Sequence, residues 1–195
     1  MKTKLILASA SPRRRALIEM LGVFDLTVIP AGSEAPCPPE LTPAEAVCFV
    51  SEEKAKDVAR RVPGDSLILA ADTVVSLEGR LLGKPRSPEE AHAMLRSLSG
   101  RKHTVYTGMA LLRGERRLTD WAKTEVWFRE LSDGEIDAYV ATGSPLDKAG
   151  AYGAQDMAAL FVERVDGEFY NVVGLPLCRL GQMLRAFGVP VLTHA

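Results

Sequence analysis

Apolar residues in this chain fall alternately into short continuous runs and into stripes at helical spacing, the pattern of an α/β protein. Leu5-Ile6-Leu7-Ala8 reads as a short buried strand, and Ser11-Pro12 follows as a helix N-cap with proline at the first helical position. The predicted helix runs to Gly22 with Leu17, Ile18 and Leu21 on one face, and a second strand covers Leu26–Ile29. Thr42-Pro43-Ala44-Glu45 has capping-box spacing, and Val47, Val50, Lys54 and Val58 continue at helical intervals to about Arg61.

Ser66-Leu67-Ile68-Leu69-Ala70-Ala71 is apolar enough for a strand covered on both faces, and the polar pair Asp72-Thr73 marks its predicted end. Glu78-Gly79 predicts a hairpin turn, and Ser87-Pro88-Glu89-Glu90 a second capping box, opening a helix through Leu98 that stops at Gly100. His103–Leu112 and Leu118–Leu131, on either side of Arg113-Gly114-Glu115-Arg116, predict a long antiparallel hairpin rich in β-branched and aromatic residues. Ser132-Asp133-Gly134-Glu135 caps a helix to about Thr142. A loop from Gly143 to Gln155, a strand near Leu160–Val165, an Asp166-Gly167 turn and a helix from about Leu175 to Phe187 complete the prediction. With no repeat and no linker, residues 1–195 read as a single domain.

Composition narrows the class of function. The 195 residues carry 24 basic and 25 acidic side chains, without the basic excess of a protein that coats nucleic acid. Cys37, Cys48 and Cys178 form no Cys-x-x-Cys pair, which argues against a disulfide framework or structural zinc and fits a reducing cytoplasm. Lys2, Lys4 and the apolar Leu5 to Leu7 imitate a secretory leader, but the apolar run falls short of the roughly 7–15 residues such a leader needs. No run approaches the roughly 20 apolar residues of a membrane span, so a protein that binds neither membrane nor nucleic acid is expected.

Two features do not follow from stability alone. Arg13, Arg14 and Arg15 crowd the first turn of the first helix, where each cation costs roughly 0.3–1 kcal/mol against the helix dipole. A phosphate or carboxylate docked there would reverse that sign, and a solvated basic turn that tolerates the penalty is the other reading. Asp72 follows an apolar strand, and strand C-termini are where open α/β sheets gather ligands. It reads as a general base, a divalent-metal ligand or a turn residue accepting backbone hydrogen bonds.

Taken singly, Glu34, Lys54 and Lys84 read as surface charges, and Gln155 as a loop glutamine. His92, His103 and His194 share no metal-ligand spacing and read as structural. No Gly-x-Ser-x-Gly elbow supports acyl-transfer chemistry, so hydrolysis by activated water stays open.

Five blocks together resemble the Maf family. They are Ser9-Ala10-Ser11-Pro12-Arg13-Arg14, Ala71-Asp72-Thr73-Val74-Val75, Gly83-Lys84-Pro85, Asp147-Lys148-Ala149-Gly150-Ala151-Tyr152-Gly153-Ala154-Gln155, and Asn171-Val172-Val173-Gly174-Leu175-Pro176-Leu177, in family order. The resemblance implies an α/β fold with a mixed twisted sheet in two lobes around a central cleft, of the Maf/ITPase-like kind. It also implies a nucleoside triphosphate pyrophosphatase that cleaves between the α- and β-phosphates with a divalent cation (Mg, Mn or Co), commonly as a homodimer.

By the same resemblance, Asp72 is the catalytic carboxylate and Arg13 and Arg14 grip the phosphates, with hydroxyl contacts from Ser9 and Ser11. Glu34, Lys54 and Lys84 supply the remaining charges for metal and phosphate, Asp72 and Glu34 being the metal residues, and Lys148 joins them. Arg13, Thr73 and Gln155 match the specificity positions of the branch acting on dTTP and UTP, and a glutamine amide suits the imide edge of a pyrimidine. The chain departs from the family pattern at Asp156 and Ala158, where glycines are expected. Competing readings are a 7-methyl-GTP pyrophosphatase and a nucleotide-responsive regulator of septum formation without turnover.

Overall fold

A computed structural model of the chain describes residues 2–32 and 36–191. The elements are β1 (Thr3–Leu7), α1 (Pro12–Leu21), β2 (Phe24–Val28), α2 (Pro43–Ala59), β3 (Ile68–Leu77), β4 (Arg80–Leu82), α3 (Pro88–Leu98), β5 (Lys102–Arg113), β6 (Arg116–Phe128), α4 (Asp133–Ala141), β7 (Val162–Gly167), α5 (Phe169–Val173) and α6 (Leu177–Ala186). Seven strands form one mixed sheet in the order β2-β1-β3-β5-β6-β7, with β4 paired to β3. β1 runs parallel to both β2 and β3, whereas β3 and β4, and β6 and β7, are antiparallel. Backbone contacts divide the chain into two compact units.

The first unit comprises Met1–Asp72, Thr107–Ala122 and Gly174–Ala195. Ser11 caps α1 as its sequence predicts, and Gly22 ends it in the left-handed conformation at φ 69°. Thr42 and Glu45 complete the expected capping box of α2. α2 packs on the sheet through Ala55 and Val58, which bury against Ala8, Ile68, Ala70 and Ala110. The approach is close: a Cβ on Gly108 of β5 would stand 2.4 Å from the backbone of Val47 in α2.

The second unit comprises Thr73–Tyr106 and Lys123–Val173. Its core joins Leu95 of α3, Ile136 and Tyr139 of α4, and Phe128, Tyr152 and Phe161. The aromatic rings there meet edge to face, as their quadrupoles favour: Phe128 and Tyr152 at 4.8 Å between centroids, and Tyr139 and Phe161 at 5.3 Å.

Several sequence expectations need correction. β3 does not end at Asp72-Thr73 but continues to Leu77. The β-branched Thr73, Val74 and Val75 favour extended backbone, and Val75–Leu77 pair with β4 across the predicted Glu78-Gly79 turn, where both residues have positive φ. At α3 the capping box is incomplete, because Ser87 accepts from Glu90 while the Glu90 carboxylate accepts from the backbone of Arg86 instead of Ser87. The segment 143–155 is not a plain loop, since it holds 3₁₀ turns at Ser144–Asp147 and Ala149–Ala151. A third 3₁₀ turn, Met157–Phe161, displaces the start of β7 to Val162, and Asp166-Gly167 belongs to that strand, opposite Glu125 and Thr124. The last helix begins at Leu177, and the short α5 before it was not anticipated. Among the described residues no helix is long and apolar enough to cross a membrane.

Candidate active site

The parallel register of β1 and β3 pairs Leu7 with Leu69, so the residues just beyond Leu7 and those just beyond Leu69 emerge at the same end of the sheet. Within the first unit this end carries Ser9, Ser11 and Arg14 beyond the end of β1, and Asp72 inside β3, three residues past its last pairing with β1. α2 runs alongside and places the Lys54 ammonium 2.7 Å from Oδ1 of Asp72, with the two side chains only 12% and 18% exposed. Lys54 thus has a partner that its helical position does not advertise. An ammonium on one oxygen fixes the orientation of the carboxylate, which still has a second acceptor oxygen for water or a cation.

The arginine triplet separates into distinct roles. Arg15 is exposed and pairs with Glu19 one turn on, at 2.8 Å. Arg14 turns back, donating from Nε to the carbonyl of Gly174 at 2.8 Å and from its guanidinium to Ser9 Oγ at 3.2 Å. Arg13 is half-buried. Ser9 Oγ also accepts from the backbone N–H of Ser11, and Ser11 Oγ from that of Arg14. These bonds use lone pairs, not the hydroxyl protons. α2, α3 and α4 each carry acidic residues in their first turn, whereas α1 carries none and has arginines instead. That arrangement suits an anion at the α1 N-terminus.

Cys37 stands close enough to feel Asp72: burial pushes its thiol up, and the charges of Asp72 and Glu40 add to the effect. All three influences oppose ionisation of this cysteine to a nucleophilic thiolate. Glu34 lies outside the described residues.

A second group of sequence candidates is assembled within the second unit. Gly150 adopts φ 69° and lies against Val75 of β3, where an added Cβ would come within 2.9 Å of that side chain. Its N–H donates to the carbonyl of Gly83 at 3.0 Å. This joins three of the sequence blocks: β3 with Thr73, the Gly83-Pro85 segment with the exposed Lys84, and the Asp147-Gln155 segment. Gln155 is exposed. Lys148 is the exception among these charges, because its ammonium is drawn into the protein, 2.6 Å from Asp147, 3.5 Å from Asp156 and within hydrogen-bond distance of Ser144.

Asp156, one of the two departures from the family pattern, is a hub. Its carboxylate accepts from the hydroxyls of Tyr139 and Ser144 and from the backbone of Ala158. Burial pushes the Tyr139 hydroxyl well above the usual tyrosine range, and the Asp156 charge adds to it, so this hydroxyl stays a donor. No local pattern gives Asp156, Ser144 or Tyr139 a role, since their contacts join positions 12 and 17 residues apart.

The donor chemistry around Asp72 suits a hard cation. Mg²⁺ and its like are held by one or two carboxylates together with substrate phosphate oxygens, and Asp72 is a carboxylate of that kind. Among the described residues no cluster of three or more His, Cys, Asp or Glu is present.

The fold of the chain, an α/β fold, is similar to that of the solved Staphylococcus aureus Ham1 protein, which matches it with a TM-score of 0.50 at 16% identity, covering 95% of this chain and 100% of that one. A family model described as Maf-like protein matches residues 4–187. The chain belongs to the Maf-like family. A relative from Moorella thermoacetica is 50% identical over 192 residues, 97% of each chain. One from Bacillus cereus (strain AH820) is 45% identical over 98% of this chain and 99% of its own, and one from Methanosarcina mazei 45% identical over 96% of each. All three are named dTTP/UTP pyrophosphatase.

Proposed function

We propose that this chain hydrolyses dTTP and UTP to the nucleoside monophosphate and pyrophosphate. The observation that carries the reading is the Lys54–Asp72 pair at the end of the sheet where β1 gives way to Ser9, Ser11 and Arg14, in a chain that matches relatives of that name over 97% of its length. Asp72, oriented by Lys54, accepts a proton from the attacking water. The water oxygen bonds to the α-phosphorus, the bond from that phosphorus to the bridging oxygen breaks, and pyrophosphate leaves. Arg13 and Arg14 offset the phosphate charge at the positive end of the α1 dipole, and Lys84 adds a further cation. Asp72 and Glu34 would hold a divalent cation, which when bound would supply Lewis-acid stabilisation of charge on the phosphate oxygens. Gln155 and Thr73 read the pyrimidine. Mg, Mn or Co as the cation, a cytoplasmic setting and a homodimeric state belong to the same reading.

The test is pyrophosphate release from dTTP, UTP, CTP, GTP and 7-methyl-GTP with Mg²⁺, Mn²⁺ or EDTA, on wild type and Asp72→Asn. Cation-dependent release from dTTP and UTP, lowered at least about 100-fold by the substitution, is expected. Preference for 7-methyl-GTP would overturn the role of Gln155. Nucleotide binding without turnover would make the chain a nucleotide-responsive regulator instead.

A further inference from the structure

Gln155 sits at the corner of a tight turn: the backbone N–H of Asp156 donates to the carbonyl of Gly153 at 3.1 Å, with Ala154 and Gln155 between them. Both ends of that turn are tied to one carboxylate. At its far end Asp156 caps the Met157–Phe161 turn by accepting from the N–H of Ala158 at 3.0 Å. At its near end the N–H of Gly153 donates to the Tyr139 hydroxyl at 3.2 Å, and that hydroxyl donates in turn to Asp156 at 3.0 Å. Ser144 Oγ reaches the same carboxylate at 2.8 Å, and Lys148 lies over it at 3.5 Å. The packing is tight behind Gly153, where an added Cβ would stand 2.6 Å from Asp156 Oδ2 and 2.7 Å from Lys148 Cε.

The segment needs such support. Gly150 and the fully buried Ala151 both have positive φ, at 69° and 62°, and for a residue with a Cβ that conformation is held only when its surroundings dictate it. Tyr139 is itself 2% exposed and carried by α4, so the turn is referenced to a rigid helix.

We propose that Asp156 is a positioning residue for base recognition: through Tyr139, Ser144 and Lys148 it holds the Gly153–Asp156 turn in the shape that presents Gln155. The inference rests on the functional reading above and adds the element that makes Gln155 selective. Asp156 does not touch substrate; it acts through Gln155. An exposed glutamine on an unbraced turn would pay the entropy of ordering at each binding event, and the brace removes that cost in advance.

The experiment is a double-mutant cycle on dTTP and UTP hydrolysis with Gln155→Ala, Asp156→Ala and the pair, alongside Asp156→Asn, each checked for folding by circular dichroism. Asp156→Ala is expected to raise KM for both nucleotides about tenfold, the size of one net hydrogen bond, with kcat within about twofold. Asp156→Asn keeps an acceptor and recovers part of the loss. In the Gln155→Ala background the same substitution is expected to add less than about twofold. An equal rise in both backgrounds, or a fall in kcat at unchanged KM, overturns the proposal. Amide hydrogen exchange supplies a readout free of turnover: Asp156→Ala is expected to lose protection across 149–156 alone, and unchanged protection there overturns the brace. Wild-type protein that hydrolyses neither nucleotide would sink the functional reading, while the exchange result would still decide whether Asp156 holds the turn.

Discussion

The ammonium of Lys54 lies 2.7 Å from Oδ1 of Asp72, so the one acidic group in the middle of β3 is aimed by a lysine from the helix that covers the sheet. Lys54→Met keeps the bulk and removes the charge. It is expected to lower kcat/KM for dTTP by about 100-fold, the scale of a small misplacement of a catalytic group. Steady-state kinetics on the folded variant check this, and wild-type kcat/KM would show that the pair serves stability alone.

Glycines at two positions should respond to alanine with opposite signs. Gly108→Ala would drive a methyl into the backbone of Val47, which has no rotamer with which to yield, and is expected to cost about 3 kcal/mol or more. Gly181 lies inside α6 with open space where its Cβ would stand, so Gly181→Ala is expected to add about 0.5–1 kcal/mol. Urea unfolding midpoints of the two variants decide both.

Gly150→Ala combines a left-handed backbone with a side chain pressed on Val75. A loss of about 2 kcal/mol or more is expected, together with a raised KM for dTTP, because the same turn leads to Gln155. A thermal unfolding scan with matched kinetics tests the pairing, and a change in stability with KM untouched would separate the two.

Stability below neutral pH should depend on His103. Burial holds its imidazole down to about 4, with the backbone of Arg101 opposing, and its Nε2 lies 2.8 Å from the Tyr152 hydroxyl. The unfolded chain takes up this proton near pH 6.5 while the folded chain does so only near 4, so stability from this residue is complete above about 6.5 and declines as pH falls between those values. The decline is on the order of 3 kcal/mol across that window. Chemical unfolding at intervals from pH 4 to 7 should show a slope that His103→Gln flattens, and an equal slope in both proteins would place the sensitivity elsewhere.

What the sequence disclosed follows the range of the interactions concerned. Ser11, Thr42, Ser87 and Ser132 each accept from a backbone N–H three residues ahead, so helix starts were legible from a few adjacent letters. The Glu78-Gly79 turn was legible for the same reason. The extent of β3 was not, because Asp72 and Thr73 interrupt an apolar run and only the pairing with β4 shows that the strand continues. The turns between Ser144 and Phe161 depend on Lys148, Asp156 and Tyr139 meeting in space, which no local pattern encodes. The Lys54–Asp72 pair spans 18 residues, and although family resemblance puts both residues in the site, nothing in the sequence joins one to the other.

That Asp72 rides on a strand and not on a loop has a bearing on which changes in chain length the protein tolerates. Each residue added to or removed from β3 ahead of Asp72 turns its carboxylate to the opposite face of the sheet, and two residues restore the face but shift it by about 6.6 Å. Neither move leaves Lys54 within reach of it. Deletions and insertions should therefore be absent between Ile68 and Asp72 in any functional variant, however freely the residues themselves are exchanged.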